Sequence, residues 1–281
     1  MVRGGLSVAL LLGGTQAHAG AWLQPDGERL VIATTDYTIA DTAFDDEREA
    51  VIDVEFRKVE ARTYVEWGAR DWLTLTQESA FQDVWFEGLQ GPSQYQGPSA
   101  VRTGARGSLW SKGRHRISLA TDVGYQRGGE FISDGELGYE GWSATGTLLY
   151  GHGWDRAFVD IQAGYRHRFG QGPDTWRGDA TAGYDLTRRW SLFATASGRM
   201  TDGDQLGLDL LEPTESLKLK GAIAYRWSCR TRLELGGLYT AYGRNHVRER
   251  GATIGIWRRF GKGTDEQCFN HRLRHLDRRI G

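Results

Sequence analysis

The charged residues of this 281-residue chain fall on alternate positions of extended segments. Arg102 shares its parity with Arg106, Arg116 with Asp122, Arg166 with Arg168, and Arg177 with Asp179. Lys218, Lys220 and Arg226 share another, as do Arg232 and Glu234. Successive side chains of a strand point to opposite faces, so each set lies on one face. Two kinds of chemistry suit such faces. Charges lining a watery path select anionic or polar solutes. Charges facing one another pair across strands and close an interior, which is a structural role. The sequence leaves both open.

Catalysis has less support. Nucleophilic hydrolysis needs a serine or similar group within hydrogen-bond reach of a base. On one strand face that favours a spacing of two, and neither His-x-Ser nor Ser-x-His occurs. No Gly-x-Ser-x-Gly elbow occurs either. His115, His152 and His167 are the bases that a cross-strand arrangement would use, and His167 falls on an apolar face. His-Glu-x-x-His, Cys-x-x-Cys, a phosphate-cradling loop and an EF-hand loop are all missing. Asp45, Asp46, Glu47 and Asp204 lack the full ligand spacing of a calcium loop and read as solvated loop. The expectation is a protein that is not an enzyme, with no catalytic residue, no metal and no cofactor.

The segment 158–169 shows what positions the charges. Val159, Ile161, Ala163, Tyr165 and Phe169 take one face; Asp160, Gln162, Gly164, Arg166 and Arg168 take the other. That is a strand between an apolar and a polar medium. The pattern recurs in twelve segments: 28–40, 50–67, 72–86, 99–111, 114–127, 136–151, 157–169, 174–187, 190–200, 216–228, 231–243 and 249–260. The second, third and sixth alternate less regularly, and ten strands is the alternative count. Short connections follow the even-numbered strands at 68–71, 111–114, 151–156, 187–189 and 228–230. Longer ones fall at 41–49, 87–98, 128–135, 170–174, 201–215 and 244–248. Short periplasmic turns and longer outer loops are the habit of bacterial barrels. An even count puts both termini on the periplasmic side. Trp67, Trp72, Trp110, Trp154, Trp190 and Trp227 flank the short turns, as an interfacial aromatic girdle would, with Trp257 near the end of the last strand.

The composition agrees. No segment carries the roughly 20 apolar residues of a spanning helix. A mean hydropathy of −0.52 suits a barrel, whose lipid face uses every second residue. A soluble sandwich would have to pack Trp, Tyr, Leu and Ile from nearly every strand into one interior, which is difficult at this barrel width. Arg3, the apolar run 6–12 and the small residues Ala17 and Ala19 read as an export leader 1–19, with the mature chain starting at Gly20. Removing Arg3 leaves 34 basic residues against 36 acidic, so no basic excess points to nucleic acid.

The domains expected are thus the leader 1–19, an all-β transmembrane antiparallel barrel over 20–260, and a periplasmic tail over 261–281. In that tail Phe269, Leu273, Leu276 and Ile280 recur on one face of an amphipathic helix, opposite Arg272, Arg274, His275, Arg278 and Arg279. Cys229 lies in a short turn and Cys268 just before this helix. Two cysteines in an exported chain suggest a disulfide, which would pin the tail to the rim. The tail would then partly cover or plug the periplasmic mouth or dock a partner; the alternative is a solvated, frayed end.

The stretch 20–27, Gly-Ala-Trp-Leu-Gln-Pro-Asp-Gly, opens the mature chain. It is followed by Phe56-Arg57-Lys58-Val59-Glu60, Tyr64-Val65-Glu66-Trp67-Gly68 and Asp71-Trp72-Leu73-Thr74-Leu75. Over residues 20–90 this resembles proteobacterial outer-membrane barrels grouped as phenol meta-pathway-associated transporters. The resemblance implies an outer-membrane barrel acting as a channel for small or hydrophobic solutes, and carries over no functional residue. The expected function is passive passage of a small solute, with membrane lipid and that solute as partners. The alternative is a structural or assembly component of the envelope that works with a secretion system. An outer-membrane enzyme ranks third.

Overall fold

The computed structural model describes residues 20–88, 91–127, 140–170, 173–201, 213–261 and 263. The expected leader 1–19 and the tail residues that would carry the helix, Cys268 among them, lie outside these. Twelve long strands form: β1 (Arg29–Phe44), β2 (Ile52–Arg70), β3 (Leu73–Gly88), β4 (Gly91–Lys112), β5 (His115–Gln126), β6 (Gly141–Gly153), β7 (Ala157–Phe169), β8 (Thr175–Asp185), β9 (Trp190–Thr201), β10 (Glu215–Arg226), β11 (Thr231–Arg244) and β13 (Arg250–Phe260). A two-residue strand, β12 (His246–Val247), precedes the last and pairs with the end of β1. Each long strand pairs antiparallel with its sequence neighbours. β1 pairs with both β2 and β13, which closes the sheet into a barrel.

Arg29 of β1 lies opposite Phe260 of β13, so both ends of the barrel chain meet at one rim. That rim also carries the short connections 71–72, 113–114, 154–156, 186–189 and 227–230. The connection expected over 87–98 is mostly strand, since β3 runs to Gly88 and β4 starts at Gly91. Pro92 and Pro98 read as loop by type, but β4 pairs there with β3 alone and meets β5 only from Ala100. Proline is tolerated on such an unpaired edge.

The outer wall is apolar. Leu119, Leu148, Ile161, Leu192, Leu219, Leu235 and Ile254 all face outward and are exposed. Trp67, Trp72, Trp110, Trp154, Trp190 and Trp227 are exposed at the short-turn rim; Trp142, Phe169 and Trp176 are exposed at the other. Lys58, Glu60, Glu66, Arg106, Asp160, Arg166 and Glu234 are buried inside. Apolar outside and charged inside is the arrangement of a membrane-spanning barrel and the reverse of a soluble one.

β1 to β4 are longer than the rest, with 19 residues in β2 and 22 in β4. Their upper parts follow the opposite rule. There Ala40, Phe56, Val84 and Val247 form a buried apolar cluster on the inside, joined by Val54 and Phe86. Asp53, Glu55 and Arg57 point the other way, between them along β2. This is soluble-type patterning, as expected of a wall that has left the bilayer. The same rim is laced together by polar contacts. Arg48 Nη2 donates to Glu215 Oε1 at 2.9 Å and its Nε to Oε2 at 3.2 Å. That carboxylate raises the Arg48 guanidinium above its ordinary range, by hydrogen bond first and then by charge.

Candidate functional site in the barrel lumen

Residues 20–28 do not trail away from the barrel; they cross its bore at the short-turn end. Gln24 N–H donates to Thr74 Oγ1 of β3 at 2.9 Å, and Gln24 Nε2 to Glu66 Oε2 of β2 at 2.6 Å. Gly27 N–H donates to the Gly68 carbonyl at 2.8 Å. On the opposite wall Ala21 N–H donates to Asp160 Oδ2 of β7 at 2.7 Å, and Ser118 Oγ of β5 donates to the Ala21 carbonyl at 2.6 Å. The segment therefore spans from β2 and β3 to β5 and β7. Glycine permits this approach. A β-carbon at Gly68 would collide with the Pro25 carbonyl, and one at Gly151 would stand 2.8 Å from the Trp22 ring.

Trp22 completes an aromatic layer over the same end. Its ring meets Phe158 edge-on at 5.8 Å, Phe158 lies 6.1 Å from Phe193, and Phe193 lies 5.9 Å from Trp257. Arg232 sits over both Phe193 and Trp257. Leu30, Ile32 and Tyr64 pack against Trp257 from the seam side. Trp257 is only 3% exposed, so it is a lumen residue and not part of the girdle.

Deeper inside, charges pair across strands. Arg106 Nη2 donates to Glu66 Oε1 at 2.6 Å, both side chains at most 2% exposed. Arg102 reaches Glu78 at 3.5 Å and Gln126 at 3.1 Å, and Arg62 reaches Glu60 and Glu78. Lys58 and Lys218 both approach Glu249, the latter at 3.0 Å; Lys220 meets Glu234 at 3.0 Å. A cavity of about 180 Å³ lies in this layer, lined by Tyr64, Arg106, Asp122, Gln162, Arg177 and Asp179 among others. Arg166 is buried beside it, and Glu78 is within electrostatic range of Arg62, Arg102, Arg177 and Arg166.

The site residues expected from parity are thus dispersed over the height of the bore. Arg102, Arg106, Asp122, Arg166, Arg177, Asp179, Lys218, Lys220 and Glu234 lie along the bore between its two ends, Lys218 beside Glu249 just before β13 and Glu234 near the start of β11. Arg168 sits at the long-connection end, where its backbone N–H donates to Asp174 Oδ1 at 2.9 Å. Arg116 lies at the short-turn rim and donates to the carbonyls of Gly113 and His115. Arg226 lies at the same end as Arg232, which holds the aromatic pair. The carboxylates Glu66, Glu78 and Glu249 that pair with them, Glu60 beside Lys58 and Arg62, and Trp22 were not among the expected residues. Cys229 occupies the turn after β10, and its expected partner Cys268 is outside the described residues.

The three histidines stand on the outer wall or rim. His115 Nδ1 is 2.9 Å from Tyr150 Oη and 3.1 Å from His152 Nδ1, and His167 Nδ1 is 3.0 Å from Asp174 Oδ2. Their strand partners at the same height include Lys112, Val159 and Ala144, and none is serine.

No family profile matches this chain, and no curated protein matches it. Solved structures do. An outer membrane channel from Pseudomonas putida F1 superposes with a TM-score of 0.67 at 14% identity, over 87% of this chain and 99% of that one. The NanC porin superposes at 0.56 and 8% identity, over 80% and 98%. The translocator domain of the autotransporter NalP from Neisseria meningitidis superposes at 0.50 and 11%, over 84% and 90%. A channel, a porin and a translocator share this barrel, so the likeness speaks for the fold.

Proposed function

We propose that this protein is an outer-membrane channel for small polar solutes that is closed at rest from the periplasmic side. The observation that carries the reading is the crossing of the bore by residues 20–28, seated on both walls beneath a charged cavity of about 180 Å³. A barrel with a purely structural role needs only side-chain pairs to fill it. A separate strap hydrogen-bonded through its backbone is a removable closure. The paired charges of both signs give a passing polar molecule replacement partners on either wall, which favours polar over purely hydrophobic cargo. In this reading the short-turn rim and both termini are periplasmic. A Cys229–Cys268 disulfide ties the tail beside the same mouth, where it could dock a periplasmic partner.

Planar-bilayer recording tests this. The wild-type protein should give rare, brief openings. Replacing Trp22 and Gln24 together by alanine, which removes the ring contact and the Glu66 hydrogen bond, should give long openings of larger conductance. Silence of both proteins sinks the channel reading and supports the structural role in the envelope.

A further inference from the structure

The strap begins where the expected leader ends, and its first residue lies against a buried carboxylate. A methyl placed on the Gly20 α-carbon would stand 2.5 Å from Asp160 Oδ2 and 2.9 Å from its Cγ. The Gly20 nitrogen is bonded to that same α-carbon, about 2.5 Å from the methyl position, which puts it within roughly 5 Å of Oδ2. Asp160 is 2% exposed. Its Oδ2 accepts the Ala21 N–H and its Oδ1 accepts Gln162 Nε2, each at 2.7 Å. Among the described residues, Arg106 and Asp179, one of each sign, act on it through space. Arg106 is already engaged by Glu66.

In the uncut chain the Gly20 nitrogen is a neutral amide. A leader peptidase adds water across the Ala19–Gly20 bond. The C–N bond breaks, the hydroxyl joins the Ala19 carbonyl carbon, and the nitrogen becomes an amine. That amine is protonated at neutral pH, since an α-amino group titrates near 7.7–8.0. We propose that the α-ammonium created on Gly20 pairs with Asp160, so that removal of the leader itself latches the strap into the bore. A carboxylate buried this deeply is costly without a cationic partner. Among the described residues no cation forms an ion pair with Asp160, and cleavage delivers one beside it. Gly20 fits because a side chain at its α-carbon would occupy the space the carboxylate takes. The latch requires the cut after Ala19 and the fold seen here; it stands whatever solute passes.

Hydrogen exchange over residues 21–28 reads the latch without any conductance measurement. Protein taken from outer membranes should begin at Gly20 by intact mass. Barrels refolded from chains starting at Gly20 are then compared with the α-amine free or acetylated, each with Asp160 or with Asp160→Asn. Acetylation should speed exchange of the strap at least about tenfold when Asp160 is present, the scale of a charge-assisted hydrogen bond. It should change little in Asp160→Asn. If that variant does not fold, a chain that retains Ala19 tests the same point, because it displaces the ammonium by one residue and should exchange as the acetylated chain does. Equal protection in free and blocked chains overturns the latch, as does a native protein that starts elsewhere.

Discussion

At the scale of the residue, the pair Glu66–Arg106 concentrates what the lumen does. Both side chains are almost wholly buried, and Glu66 also accepts from Gln24 of the strap and from Tyr64 at 3.2 Å. Removing one partner of a buried pair leaves the other uncompensated. Glu66→Gln should therefore lower unfolding stability by about 3–5 kcal/mol, read as a shift in the urea midpoint by tryptophan fluorescence. Replacing both residues by neutral ones should recover most of the loss. A midpoint unchanged in Glu66→Gln would mean that the pair is dispensable. Arg106 was legible from parity alone, because its strand alternates cleanly. Glu66 was not, because the alternation of β2 reverses along its length. Its upper half hides Val54 and Phe56 inside, whereas its lower half hides Glu60 and Glu66.

At the scale of the element, one rule set the strands and a second bent them. Alternation placed β5, β7, β8 and β10 within a few residues of their observed ends, since each has a lipid face and a water face. Leu235 of β11 illustrates the lipid face: it is 58% exposed and lies between Ile223 and Ile254 of the flanking strands. Leu235→Arg should cost about 2–4 kcal/mol if this height is near the midplane. The check is the folded fraction recovered in lipid vesicles, seen by heat-modifiable gel mobility. Folding as efficient as wild type would place that face away from lipid. The strap gave no such signal. Residues 20–28 have no period, and their role depends on glycines such as Gly68 and Gly151, whose value lies in the neighbours they admit. Gly183 likewise makes room for Phe158 of the adjacent strand.

At the scale of the whole molecule, the wall is uneven in height. The 22 residues of β4 rise roughly 55 Å along the axis at about 3.3 Å each and a tilt near 40°, twice the ~25 Å apolar band. The surplus belongs outside the cell in the orientation proposed here. A cysteine placed at the exposed Gln94 should react with a membrane-impermeant maleimide on intact cells; labelling only after permeabilisation would invert the orientation. The strap has its own consequence for the order of assembly. Its anchors lie on β2, β3, β5 and β7, all made before β13 arrives to meet β1 at the seam. The strap can therefore seat on a half-built, open sheet, which closure then wraps around it. A barrel made in this order would be stoppered before it is complete. On the closure proposed above, such a barrel would give the cell no leak during its assembly.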